Sequence, residues 1–494
     1  MLNEQILKTI SQRKFTLLSA FVFSILCLNW SVPVNFEADT ILQSLMSTQK
    51  VTLFYWGQDR YANFLPFIYS WIKTPTLNLL LIIFTSGLAF FLLLELVSDA
   101  ITKYYKQNNG VYRTLLFISL VLVSILILNK KGIYVFAYAA QPYSLSFLFL
   151  GWAWAVVSQK QINLSSVLAA TLMLFVALGI NPSIILSCAV SSLFFYACKR
   201  NRNYLLVPFF SLIFFGFWQY VSKSAFARPE GYSQLNPELV FKGLIGSLKH
   251  FADNTETLSL TVVLLVATII LNIINFKNVA RFKANLLVVV MGAFAVAWWV
   301  TFSMSVYVSR NDFHFRYFFP TILALLVLIS LTITDALLAL KQRACLLAVG
   351  AALTVIFIII VVPYKPVAYW HSSGVFDGVG QYARAANARI ITGGYWQVWP
   401  ALFRFQSTDN RQDAEGKPWL YGATTRGEVN RPEMDSLIVR EARHGRSTTA
   451  VCIGARPEQC LRELAVNTSF NWQFIEEGKC LTMTCYLFQV KKIE

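Results

Sequence analysis

Leu77–Ser98 reads LNLLLIIFTSGLAFFLLLELVS, and the whole stretch contains one ionisable side chain, Glu95. A helix needs about 20 mostly apolar residues to cross roughly 30 Å of hydrocarbon, so this stretch predicts a membrane span. The surrounding chain has the same character. Of 494 residues, 56% are hydrophobic, 15% aromatic and only 14% charged, with a mean hydropathy of +0.54, a mixture that excludes a soluble protein of this size. Outward from Leu77–Ser98, further apolar stretches lie near 16–34, 114–129, 143–158, 165–180, 182–198, 204–222, 257–275, 286–305, 320–338 and 345–363. The sequence therefore predicts a polytopic α-helical membrane domain of about 11 transmembrane helices over 1–363 and a small C-terminal α/β soluble domain over 364–494.

The formal charge of +17 is uneven: residues 1–363 carry 26 basic and 12 acidic groups, residues 364–494 carry 16 and 13. A nucleic-acid binder would gather its basic residues into a stripe on a soluble module. Here they punctuate apolar runs, as the positive-inside rule expects of membrane loops. With a cytoplasmic N-terminus, the short inner connectors hold 15 Lys and Arg residues, among them Lys8, Arg13, Lys14, Lys199, Arg200 and Arg202, while the longer outer loops hold 11. The tail is then exported. The first span follows a basic start but is long, lacks a small-residue cleavage site and leads into more spans, so it reads as an anchor rather than a signal peptide. No fixed-period repeat supports a solenoid or an inverted-repeat transporter.

Cys27, Cys188, Cys198 and Cys345 fall within or at the ends of spans. The tail holds Cys452, Cys460, Cys480 and Cys485, and an exported compartment favours disulfides. Three pairings are open, with 452–460 and 480–485 favoured by spacing. A zinc site is the weaker rival, because neither pair is C-x-x-C and His371 and His444 are far apart in sequence. Within the tail, Ala388–Thr392, Thr448–Ile453, Trp472–Ile475 and Cys485–Val490 read as strands, and Val398–Phe405 and Pro457–Val466 as helices. Gly393–Gly394 reads as an ordinary strand-to-helix turn, lacking the spacing of a phosphate loop.

Three outer loops, 35–76, 223–256 and 305–319, carry groups that a mere connector does not need. The first sets Glu37 and Asp39 immediately after the first span, where carboxylates need hydration or a partner. Ile41, Leu42, Leu45 and Met46 then share one face of a predicted short helix lying in the membrane interface. Phe54–Tyr61 (FYWGQDRY) follows, with Tyr55 and Trp56 beside the charged pair Asp59 and Arg60. Capping is the plainer reading of Asp39, for the helix that begins there, and of Asp59, for 60–72. The loop 305–319 presents Arg310, His314, Arg316 and Tyr317; guanidinium groups grip phosphate through paired hydrogen bonds, although snorkelling at a span end is the commoner role of a single arginine. Lys130 and Lys131, with Tyr134, Tyr138 and Gln141, form a candidate groove, and His250 lies in a candidate amphipathic flap. In the predicted spans, ionisable residues are scarce: Glu95, Asp99 and Asp335 fall toward the cytoplasmic ends, which disfavours an ion-coupled transporter.

The order of parts, with Phe54–Pro66 (FYWGQDRYANFLP), Arg316–Pro320 (RYFFP) and Gly393–Pro400 (GGYWQVWP), resembles the GT-C class of membrane glycosyltransferases, and most of all the bacterial branch that decorates O-antigen, including serotype-converting glucosyltransferases. The resemblance implies transfer of a sugar, glucose among the candidates, from a polyprenyl-phosphate donor to a glycan acceptor at the outer face of the bacterial inner membrane. It also implies a partner flippase and a donor synthase. An acidic base in the first loop maps best to Asp39, here in a Glu-x-Asp rather than an adjacent acidic pair, so Glu37 stays open beside it and Asp59 stands third.

A phosphate-linked sugar already has a good leaving group, so positioning and one base suffice. Asp39 is assigned the proton; Arg316 with Arg310 or Lys130 the phosphate; Tyr55 and Trp56 the sugar ring; and His314, Tyr317 and Arg60 supporting contacts. The sequence marks no certain cofactor, and a divalent metal is allowed but not indicated. The rival readings are an O-antigen polymerase or ligase, a lipid-linked glycan flippase or transporter, and a non-catalytic scaffold that docks through its tail.

Overall fold

A computed structural model describes residues 2–35, 37–56, 62–104, 110–139, 143–159, 162–199, 201–225, 234–275, 282–339, 373–409, 412–413, 415–424, 426–481 and 483–491. Its helices in chain order are α1 (Leu2–Asn35), α2 (Ala38–Thr48), α3 (Phe64–Ile68), α4 (Pro75–Tyr104), α5 (Gly110–Ile133), α6 (Tyr143–Val157), α7 (Leu164–Ile180), α8 (Ile185–Lys199), α9 (Leu206–Ala225), α10 (Val240–Thr255), α11 (Leu258–Asn275), α12 (Phe282–Ser303), α13 (Val306–Arg310), α14 (Phe319–Ala339), α15 (Ser373–Ala385), α16 (Tyr395–Thr408), α17 (Arg431–Arg443) and α18 (Pro457–Asn467). The strands are β1 (Ile390–Gly393), β2 (Tyr421–Ala423), β3 (Thr449–Ile453), β4 (Trp472–Cys480) and β5 (Met483–Val490).

Five helical stretches are long and apolar enough to cross a membrane: Lys14–Pro33, Pro75–Tyr104, Gly110–Tyr138, Arg202–Ser222 and Phe315–Leu338. A sixth results if Pro237–Thr255 and Leu258–Ile270, bent by 114°, form one broken span. The predicted eleven is thus corrected to five or six among the described residues. Apolar character alone misled, because Tyr143–Val157 and Leu164–Ile180 are apolar but run to only 15 and 17 residues, and a helix advances only about 1.5 Å per residue. The predicted span 345–363 lies outside the described residues. The protein is a membrane protein by this measure. Large apolar side chains such as Leu18, Leu172, Leu212 and Val263 are more than 60% exposed, an outward face suited to lipid.

The chain divides into two compact units, Met1–Asn35 with Phe84–Pro363 and Phe36–Ile83 with Tyr364–Glu494. The predicted boundary at 363/364 therefore misses Phe36–Ile83, which shares a unit with the tail.

In the helical unit, α1 packs on α5, α5 on α14, α12 on α14, and α6 and α9 on α7. Phe136 meets Phe315 and Phe319, and Phe147 meets Phe319 and Trp298, in an aromatic core. Three acidic groups of its helices have partners: Glu95 accepts from Thr16 Oγ1 at 3.1 Å, Asp99 pairs with Arg113 at 3.3 Å and Lys103 at 2.6 Å, and Asp335 accepts from the Tyr112 hydroxyl at 3.5 Å.

The second unit is built on a five-stranded sheet in the order β2-β1-β3-β5-β4. β1 is parallel to β2 and β3, while β5 is antiparallel to β3 and β4. Parallel strands need cover on both faces. Met434, Leu437 and Ile438 of α17 and Leu464 of α18 join Ile390, Ala450 and Phe488 in one core, and α16 covers β1 and β2 elsewhere, with Trp399 against Gly422. The predicted α/β tail is present; β2, α15 and α17 are additions that its short or polar segments did not announce. Cys452 pairs with Cys460 and Cys480 with Cys485, joining β3 to α18 and closing the β4–β5 hairpin.

Gly393, at the end of β1, has φ +129, and a Cβ there would lie 2.0 Å from the Ile453 carbonyl oxygen. Only glycine fits, and the Gly394 amide donates to that same carbonyl at 3.2 Å. The Gly-Gly pair serves close packing between the ends of β1 and β3, as the turn reading expected.

Candidate functional site

Glu37 is the N-cap residue of α2 in extended conformation, and its side chain does not cap the helix. Its carbonyl accepts from the Thr40 and Ile41 amides. Asp39 therefore sits inside the first turn, and the N-cap reading of Asp39 is corrected by two residues. α2 also departs from the interfacial helix predicted for it: Ala38 and Thr40–Ser47 are buried, polar Gln43, Ser44 and Ser47 included. Ser44 and Ser47 donate to the Pro75 and Pro66 carbonyls at 3.0 and 2.8 Å. Such a helix lies in a protein interior, here against α16.

This packing surrounds Asp39 with groups from the tail. The half-buried carboxylate accepts a hydrogen bond at Oδ1 from the Tyr395 hydroxyl, and the Asp39 carbonyl accepts from the Tyr55 hydroxyl at 2.8 Å. The Arg426 guanidinium lies 5.4 Å from the Tyr55 ring centre and 5.5 Å from that of Tyr395, and donates to the Trp56 carbonyl at 3.2 Å. Burial, and then the nearby Asp39 and Tyr55, hold the Tyr395 phenol well above its ordinary pKa. It stays protonated and donates to the carboxylate at neutral pH. Lys50 secures the same region through Glu433 Oε1 and the Val429 carbonyl, both at 2.8 Å.

Tyr55 and Trp56 are 6% and 0% exposed, with Trp56 against Trp399 and its indole N–H on the Lys50 carbonyl. Their assignment as an open stacking face for sugar is corrected: both are core side chains that set the positions of Asp39 and Arg426. Asp59 and Arg60 lie outside the described residues.

The helical unit holds a second cluster. His314 and His250 stack with ring centres 4.2 Å apart. His314 Nδ1 accepts from the Arg316 amide at 3.2 Å, and the Arg316 guanidinium donates to the Tyr317 hydroxyl at 2.9 Å, which in turn bonds to Tyr307 at 3.4 Å. Burial first, then the positive charge of Arg316, the adjoining His250 ring and Lys131, holds His314 far below the usual imidazole pKa, so its ring is neutral. Asp312 and Phe313 both have positive φ, 50° and 52°. Two successive non-glycine residues there make a strained turn, which brings His314 back over α10. Arg310 ends α13 and is exposed. Lys130 lies over the Trp30 ring at 5.8 Å, while Tyr134 and Tyr138, offered as groove lining, are buried.

Sequence reasoning missed Tyr395 as the partner of Asp39, Arg426 over the Tyr55 and Tyr395 rings, and His250 as the ring stacked on His314. GGYWQVWP carried Tyr395 in plain view; Arg426 had no local signal. Among the described residues, no group of three or more His, Cys, Asp or Glu side chains is placed to hold a metal ion. No protein-family model matches the sequence, and no curated protein matches it significantly.

Proposed function

We propose that the chain is a GT-C-like membrane glycosyltransferase that moves a sugar from a polyprenyl-phosphate donor to a hydroxyl of a surface glycan such as O-antigen, at the outer face of a bacterial inner membrane. The observation that carries this reading is the half-buried Asp39 carboxylate at the start of α2, fixed by the Tyr395 hydroxyl beside the Arg426 guanidinium. Reaction chemistry follows a single displacement. The acceptor hydroxyl oxygen forms the new bond to the anomeric carbon, the bond from that carbon to the phosphate oxygen breaks, and the phosphate leaves on its lipid with the electron pair. Asp39 takes the hydroxyl proton, which inverts nothing by itself but lets the oxygen attack from the face opposite the phosphate. The Arg426 guanidinium, held over the Tyr55 and Tyr395 rings in the same unit as Asp39, suits the charge that builds on a leaving phosphate.

Purified protein given a polyprenyl-phosphate sugar and glycan acceptor tests this: Asp39→Asn should abolish most transfer while the protein stays folded. Unchanged turnover would remove Asp39 as base. A second reading has its own observation. The Tyr395 bond makes Asp39 a candidate latch between α2 and α16, in which case Tyr395→Phe and Asp39→Asn would lower stability alike and neither would selectively lower turnover.

A further inference from the structure

We infer that Phe64–Trp71 is a membrane-interface anchor whose outward apolar side chains sit at the boundary of headgroups and acyl chains in the lipid bilayer. Within this short stretch the side chains divide sharply. Leu65 and Pro66 are buried, as is the following Ile72, whereas Phe67 is 69%, Ile68 41% and Trp71 75% exposed. A loose loop does not explain the division. The Asn78 amide, fully buried on the first turn of α4, donates to the Tyr69 and Ile72 carbonyls at 2.8 and 3.1 Å and to Ser47 Oγ at 2.8 Å. Ser47 in turn donates to the Pro66 carbonyl. The turn is tied to both α2 and α4, so its exposed side chains are held on a fixed base.

Continuity with α4 commits this surface to lipid. Trp71 precedes by four residues the start of a helix long and apolar enough to cross a membrane, and Leu77 on the first turn of that helix is itself 48% exposed. Lys73, between them, is exposed, as suits a chain that reaches the phosphate layer. Tryptophan and phenylalanine beside the end of a span gain from the interface what they lose in water. The role that sequence periodicity gave to α2 thus belongs to the segment after it. This inference does not depend on the transferase reading.

The test uses the full chain in vesicles of phosphatidylethanolamine and phosphatidylglycerol, with a genetically encoded fluorescent amino acid in place of Trp71 or, as control, of the exposed Phe474 on β4. A nitroxide near the headgroup end of the acyl chain should quench position 71 about threefold more than position 474, and aqueous iodide should show the reverse preference. Equal iodide quenching at both positions would overturn the inference. So would protection of position 71 from both quenchers, which would mean that protein, a second copy included, covers it.

Discussion

Asp39 and Arg316 carry opposite charges, yet each is held by a tyrosine hydroxyl: Tyr395 donates to the carboxylate, and Tyr317 accepts from the guanidinium. The phenol can serve either sign because its oxygen is both donor and acceptor. It fixes a charged group without supplying a counter-charge, unlike the arginine that faces Asp99. The comparison also separates position from charge experimentally, since Tyr→Phe removes the hydrogen bond and Asp→Asn or Arg→Ala removes the charge.

If Asp39 is the base, Asp39→Asn has the largest effect, a loss of about 10²–10⁴ in transfer rate. Arg426→Ala comes next, about 10²-fold, as expected when one donor to a developing oxyanion is removed; Arg426→Lys should recover part of it by keeping the charge. Both are read as kcat with donor saturating. Tyr395→Phe is expected to cost about tenfold, the lower end of what one hydrogen bond to a charged group is worth. A loss as large as that of Asp39→Asn, with equal loss of thermal stability, would make the pair a latch.

What could be read from the sequence follows the range of the interactions. The strands of the tail, the Gly393–Gly394 turn and both disulfides depend on neighbours within a few residues or on simple alternation, and they were legible. The burial of α2 was not, because its partner α16 lies more than 300 residues later, and an amphipathic pattern does not say whether lipid or protein covers the apolar face. Tyr55 and Trp56 failed for the same reason: an aromatic cluster fits a sugar platform or a core equally well until Trp399 and Arg426 are in place. The span count failed on length, since α6 and α7 have the composition of spans without their reach. His250 and Lys131 were visible as residues, but nothing local tied them to His314; that required the turn at Asp312 and Phe313.

A third polar group, in the tail, is paired by charge throughout and provides the contrast of smallest effect. Arg389 bonds Glu441 at 2.8 Å, and Arg440 bonds Asp413 and, at 2.7 Å, Glu415. Burial pushes the Asp413 carboxyl up, but hydrogen bonds from the Lys417 and Glu415 amides and from Arg440 outweigh it and leave it below its ordinary value. Hydrogen bonds from Arg440 and Lys417 bring Glu415 down to about 2. A carboxylate whose folded pKa is depressed contributes stability that is present above its unfolded pKa, about 4, and is lost as pH falls through the folded value. In detergent-solubilised full-length protein, Arg440→Ala should therefore raise pepsin cleavage between Gln412 and Arg446 near pH 4. Toward pH 2 the difference between the variant and the unsubstituted protein should shrink, because Glu415 is then titrating and its bond to Arg440 is being lost. A difference that persists undiminished at pH 2 would mean that Arg440 acts through packing of its aliphatic chain rather than through its charge.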